Sequence, residues 1–308
     1  MGILGVAGAE TCVIGDGIFF GGTDASGAED HCNEFDGCAW TTGGTMLTNV
    51  KPVCAGGISS NAIQGAGSQN GDSTKYNGSS WSSITAFPYE RGESTSGDGD
   101  DDDAMLAGGY GHASGSNQTT RRSDSHTWNG SSWTSSGMLP WSETYQARTV
   151  DGARYGGDAG GGMIVGGAYG TGTSWNGYAW TWNGSSWSTQ SNAYAASGGG
   201  TVGAQALTGG GNASAFTAGV GYSGAYITAT EKFNGTSWSS AGNTTSGHVK
   251  GVGGGSGSAT GSYNVIICSG QTPSTYYSLV VDRYDGTAWA AAANLLVGSQ
   301  EAGAGFRG

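Results

Sequence analysis

The chain has 308 residues and a formal net charge of −12, and 63 of its residues are Gly, about three times the usual share of roughly 7%. Glycine at that density excludes a helical bundle, because each one costs about 1 kcal/mol against Ala inside a helix, and the absence of a G-X-Y period excludes collagen. The acidity argues against a nucleic-acid partner, while 11 Trp, 14 Tyr and 7 Phe exclude wholesale disorder and leave an all-β chain.

Taken in chain order, the first segment, MGILGVAGAETCVIG, lacks the basic stretch of a signal peptide, so none is expected. No apolar run reaches the roughly 20 residues of a membrane span. Next comes IFFGG, a short apolar strand ending at Gly21-Gly22, followed by Phe35-Asp36-Gly37-Cys38-Ala39-Trp40. This pair of elements then recurs. PVCAGG, ending at Gly57, precedes Tyr76-Asn77-Gly78-Ser79-Ser80-Trp81, and AMLAGG, ending at Gly109, precedes Trp128-Asn129-Gly130-Ser131-Ser132-Trp133. MIVGG, ending at Gly167, precedes Trp182-Asn183-Gly184-Ser185-Ser186-Trp187. ALTGG, ending at Gly210, precedes Phe233-Asn234-Gly235-Thr236-Ser237-Trp238, and VIICSG, ending at Gly270, precedes Tyr284-Asp285-Gly286-Thr287-Ala288-Trp289. Aromatic and Trp stand five residues apart in all six copies, whose starts are separated by 41, 52, 54, 51 and 51 residues.

Asn-Gly and Asp-Gly between strand-forming residues signal a hairpin. Two registers are open: a two-residue turn pairing Tyr76 with Ser79, or a four-residue loop pairing Tyr76 directly with Trp81. Both put the two aromatics on one face, because side chains alternate along a strand. The diglycine strand reads as fully buried, with its glycines permitting close backbone approach. A further strand ahead of it gives four antiparallel strands per unit, in one domain spanning residues 1–308. The wrap-around interval from the last hairpin to the first is 59 residues, so one unit is expected to be stitched from both termini, with the C-terminal segment closing a ring.

Other residues carry weaker signals. In the run Gly97 to Asp103, Asp98, Asp100 and Asp102 are candidate Ca²⁺ ligands, since clustered carboxylates suit a hard cation; a solvated loop is the competing reading, and no other cofactor is expected. Trp141, Trp175, Tyr178 and Trp180 lie outside the repeat slots and suit sugar stacking or a protein interface. Arg91, Arg148 and Arg307 each fall between a hairpin and the next diglycine strand, where a central cluster would form. His31, His112, His126 and His248 show no metal spacing. Among five cysteines, Cys32 and Cys38 could pair locally, but free buried thiols are expected, Cys54 and Cys268 included. The sequons at Asn77, Asn129, Asn183 and Asn234 are explained by turn chemistry.

The order of apolar strand, Gly-Gly, loop, aromatic, turn and Trp resembles the kelch repeat, which implies a six-bladed β-propeller. The NGSSW and NGTSW copies also resemble repeats of Gly/Ser/Thr-rich structural proteins of tailed phages, notably marine ones. GVAGAETCVIGDGIFFGG at 5–22 and EAGAGFRG at 301–308 resemble the second half of that repeat. The resemblance implies a non-enzymatic virion protein, a fibre or appendage component binding a host cell-surface carbohydrate or docking to other virion proteins. A second copy of the chain is a further partner, and nucleic acid and membrane are not. A capsid decoration or connector protein without a ligand is the first alternative. A sialidase-like glycan hydrolase is the second, although the Asp-Gly turn is one residue short of that family's box.

Overall fold

The computed structural model describes residues 15–67, 70–92, 96–108, 110–112, 119–121, 123–140, 154–157, 160–165, 168–169, 174–175, 179–193, 215–218, 226–248, 252–257, 263–300 and 302–307. All regular structure among them is strand, and the sheets are built from antiparallel hairpins. Each repeat forms a unit whose strands pair in sequence. In unit two these are Pro52–Ile58, Asn61–Gly67, Asn70–Tyr76 and Trp81–Ser83. Unit three comprises Ser96–Gly99, Ala104–Ala107, Asp124–Trp128 and Trp133–Met138. Unit four is Arg154–Gly157, Gly162–Val165, Ala179–Trp182 and Trp187–Thr189. In unit five the described strands are Ala215–Ala218, Ile227–Phe233 and Trp238–His248. Unit six is Val252–Gly257, Tyr263–Cys268, Val281–Tyr284 and Trp289–Ala291. Unit one takes its first strand, Gly303–Arg307, from the C-terminus and pairs it with Asp16–Phe20, which continues to Cys32–Phe35 and Trp40–Thr42.

The diglycine strand is the second of its unit and is buried on both faces. Ile18 and Phe20 pack with Ala62, Tyr76 and Trp81 of unit two, while Phe19 between them joins Ile266, Val281 and Phe306. Met105 packs with Ile164 and Trp182, and Leu106 with Ile63 and Trp128. The period-2 alternation of a strand thus feeds two separate interfaces. Two diglycine assignments shift. PVCAGG forms the first strand of unit two, and the second is Asn61–Gly67, with the polar Gln64 at its buried centre. In unit five the second strand is Ala215–Ala218, whereas ALTGG lies outside the described residues. The glycines of PVCAGG serve close approach: a Cβ on Gly305 would sit 2.2 Å from the Gly57 carbonyl oxygen.

At the hairpin the four-residue register holds, since Phe35, Tyr76, Trp128, Trp182, Phe233 and Tyr284 each pair directly with the following Trp. The Asn side chain closes the loop. Asn77 Oδ1 accepts from the backbone N–H of Ser79 (3.1 Å) and Ser80 (3.0 Å) and from the Ser79 hydroxyl (3.0 Å). The glycine alone takes positive φ, +88° at Gly78, so this is an Asx-capped turn and not type I′.

Candidate functional site

The strands run between two chemically different ends. At one end lie the Asn/Asp-Gly turns and the turns joining first and second strands: a Cβ on Gly78 would meet Ser60 at 3.3 Å, and one on Gly130 would meet Asp102 at 3.3 Å. At the other end lie the loops joining second and third strands and the connectors from one unit to the next. Every exposed large hydrophobic among the described residues belongs to this connector end: Leu47, Tyr89, Met138, Tyr226, Tyr276, Leu279, Leu296 and Val297. Two adjoining loops carry four of them, joined where the Leu295 N–H donates to the Leu279 carbonyl (2.9 Å) and Gln300 Nε2 to that of Tyr276 (2.8 Å).

Two repeated positions build this end. Six residues beyond each turn Trp stands an anchor: Met46, Phe87, Leu139, Ala193, Thr244 and Leu295, all buried. Two residues before each turn aromatic stands a second buried residue: Asn33, Thr74, His126, Trp180, Glu231 and Asp282. Several of these second residues meet the preceding unit's connector. Asn33 Oδ1 accepts from the Leu296 N–H (3.2 Å), and Trp180 packs with Leu139. His126 lies edge-on to Phe87 at 4.9 Å and to Tyr89 at 5.6 Å between ring centroids.

Asp282 makes the tightest junction. Its carboxylate accepts from Thr245 N–H (3.1 Å), Ser246 N–H (3.2 Å), the Thr245 hydroxyl and His248 Nε2 (2.9 Å). His248 Nδ1 faces the Ser269 carbonyl at 2.9 Å, so both ring nitrogens face acceptors. Burial would raise the Asp282 carboxyl, but the bonds from His248 and Thr245 and the imidazole's charge hold it below its ordinary value. His248 Nδ1 meets a carbonyl and not a nucleophile, so the pair reads as a clamp between units five and six.

Between units two and three the connector end opens into a cleft of about 430 Å³ lined by Tyr89, Ser123, Asp124, His126, Ser135, Gly137 and Met138. Tyr89 is 45% and Met138 67% exposed. Asp124 Oδ2 lies 3.6 Å from His126 Nδ1. A bulge shapes the wall: Ser125 pairs with Gly137 and His126 with Ser135, skipping Ser136.

The residues singled out from sequence fare differently. Trp180 is 5% exposed among Met105, Ile164 and Leu139, a core residue and not a stacking platform; it fills the slot two before the turn aromatic. Trp141, Tyr178 and Arg148 lie outside the described residues, and Trp175 is placed only as backbone in the short hairpin Ala168–Tyr169 with Ser174–Trp175. Arg91 pairs with Asn70 and Gly111 at the connector end, whereas Arg307 pairs with Asp16 at the turn end, so these two strand positions do not converge. Asp100, Asp101 and Asp102 each offer an oxygen within 4.8 Å of the others, with Asp101 where Asp98 was expected; the Asp98 side chain lies outside the described residues. Three carboxylates suit a hard cation, but turn chemistry employs them too. Asp100 Oδ1 caps the Asp102 and Asp103 N–H groups (3.4 and 3.1 Å), and Asp101 accepts from Asn61 Nδ2 (3.1 Å) and pairs with Lys75 (3.7 Å). The hydrogen bond and charge of Asp100 push the Asp102 carboxyl up.

Cys32 and Cys268 are free and buried, and burial raises the Cys32 thiol to about 12. Cys38, by contrast, is disulfide-bonded, and Cys32 is not its partner. The expected all-free set is corrected at that position.

No known family profile matches the chain, and no curated protein does. Among solved structures, that of YjhT is similar with a TM-score of 0.62, over 89% of this chain and 96% of that one, at 14% identity. The chain therefore shares its fold with YjhT, and at that identity the likeness is one of fold alone.

Proposed function

We propose that the chain is a six-bladed β-propeller, closed by its C-terminal strand, that serves as an attachment component of a tailed-phage virion. Three features support the architecture. The first strands of units six, one, two, three and four lie side by side in that order. Each of six hydrophobic clusters spans two successive units, and one of them spans units six and one. Trp Nε1 bonds also reach back to the preceding unit, from Trp81 to the Gly44 carbonyl (2.9 Å) and from Trp40 to that of Ala293 (3.0 Å).

The virion role rests on the resemblance of the NGSSW repeats to phage structural proteins. The attachment role rests on one observation, the division of the surface into a polar turn end and a connector end that carries the exposed aromatic and aliphatic side chains. Loops held on a rigid scaffold are where propellers and other folds place recognition. Exposed rings beside hydroxyl and carboxylate groups suit a host-surface carbohydrate. A second reading, a decoration or connector protein, is favoured by the patch of Tyr276, Leu279, Leu296 and Val297.

Immunogold electron microscopy of source particles, with an antibody against this chain, tests both readings. Gold at fibre tips is the expected result. Gold confined to the capsid or neck would favour the decoration reading, and particles without gold would overturn the virion role.

A further inference from the structure

We propose that the cleft between units two and three is a subsite for an uncharged or amine-bearing hexose ring that excludes acidic sugars. The proposal deepens the attachment reading and depends on it only for which surface presents the glycan. A volume of about 430 Å³ falls in the range of about 300–1,000 Å³ typical of small-molecule sites.

Its walls divide by chemistry. Tyr89 presents an exposed ring held edge-on by His126 (5.6 Å) and Phe87 (6.3 Å), which fixes its orientation before a ligand arrives. A pyranose offers an apolar C–H face to such a ring and directs its hydroxyls sideways. Those hydroxyls would meet the Asp124 carboxylate, the His126 ring and the hydroxyls of Ser123 and Ser135, while Met138 forms an apolar rim.

Space comes from the bulge. Gly137 stands at φ +113°, and a Cβ there would meet nothing within 4 Å. Ser125 behind it is already engaged, accepting from Trp187 Nε1 (3.0 Å) and donating to the Gly137 carbonyl (3.1 Å). Among the described residues that line the cleft the one carboxylate is that of Asp124, on a chain of net charge −12. It accepts hydroxyl or ammonium hydrogens and repels the carboxylate of a uronic or sialic acid.

Saturation-transfer NMR on the full chain tests the assignment with the methyl glycosides of glucose, galactose, mannose and glucosamine, and with glucuronic and sialic acids. Tyr89→Ala, an exposed position, and Asp124→Asn are compared with the parent chain, with circular dichroism confirming the fold. Fluorescently labelled parent and variant chains are incubated with host cells in parallel.

At least one neutral or amino hexoside should bind. Tyr89→Ala should weaken it by about fivefold to tenfold, as the loss of one aromatic contact implies. Asp124→Asn should weaken glucosamine more than glucose and admit glucuronic acid. Hexoside binding unchanged by Tyr89→Ala would overturn the cleft assignment while leaving carbohydrate attachment intact. Host-cell labelling without binding of any hexoside would overturn the sugar subsite alone. Neither sugar binding nor cell labelling would remove the attachment reading with it.

Discussion

Asn77 holds its turn through one oxygen that accepts four hydrogen bonds, and the same oxygen accepts three in Asp285 and two in Asp36. Asn77→Ala should therefore cost about 1 kcal/mol in urea unfolding, the usual worth of such a cap, whereas Asn77→Asp should be nearly neutral at pH 7. The acid copies carry a pH signature. Bonds from the Thr287 hydroxyl and from the Ala288 and Thr287 amides pull Asp285 down to about 2. A carboxyl lowered on folding contributes stability in full above its unfolded value of about 3.9 and loses it as pH falls through the folded value. Thermal melts between pH 5 and 2 should show the parent chain losing its small advantage over Asp285→Asn in that window. The side chain is almost fully exposed, so the effect is modest. The sequence alone made the shared face of aromatic and Trp legible, because alternation demands it in either register. It left the turn type open, because Asn-Gly favours type I′ while Asn Oδ1 also caps a longer loop, and only the backbone decides between them.

At the scale of the element, the turn Trp is a bolt between units. Trp81, Trp187, Trp238 and Trp289 donate Nε1 to the unit before, as Trp40 does to unit six. Trp133 Nε1 is buried without a hydrogen-bond partner among the described residues, its ring T-shaped against Phe87 at 5.1 Å. Trp81→Phe should thus be more damaging than Trp133→Phe by about 1 kcal/mol in parallel urea unfolding, since only the first breaks a made bond; equal losses would deny the bolt its role. Asp282→Asn replaces a carboxylate that accepts from Thr245, Ser246 and His248 across the unit junction, and should cost about 1–3 kcal/mol in urea unfolding. The anchors six residues beyond each Trp were readable in principle, because the interval is constant. Their identities hid them: Met, Phe, Leu, Ala, Thr and Leu share burial and not chemistry. The slot two before each turn aromatic hid better still, since Asn, Thr, His, Trp, Glu and Asp have no common property until the neighbouring connector is in place. For that reason Trp180 reads as a surface ring in the sequence and is a core residue in the structure.

The proposed closure would be a property of the whole molecule, and it would set how the chain unfolds. Gly303–Arg307 supplies the first strand of unit one, and Ala302 and Phe306 enter the cluster with Phe19, Trp40, Ile266 and Leu295, which belong to units one and six. Thr23 and Gln300 reinforce the junction by exchanging two backbone bonds of 2.8 Å. In a closed ring every unit has two neighbours and no end frays first. An open array has two end units with one interface each and loses cooperativity from those ends. Phe306→Ala should cost about 3–5 kcal/mol, the range for emptying a buried aromatic position. Deletion of residues 302–308 should do something different in kind, lowering the midpoint and also broadening the transition and reducing its denaturant slope as units one and six separate. Urea unfolding followed by Trp fluorescence reads both quantities, because turn tryptophans sit at the unit interfaces. A truncated chain that unfolds at the parent midpoint with the parent slope would mean that the terminal strand is an addition to the array and does not close it.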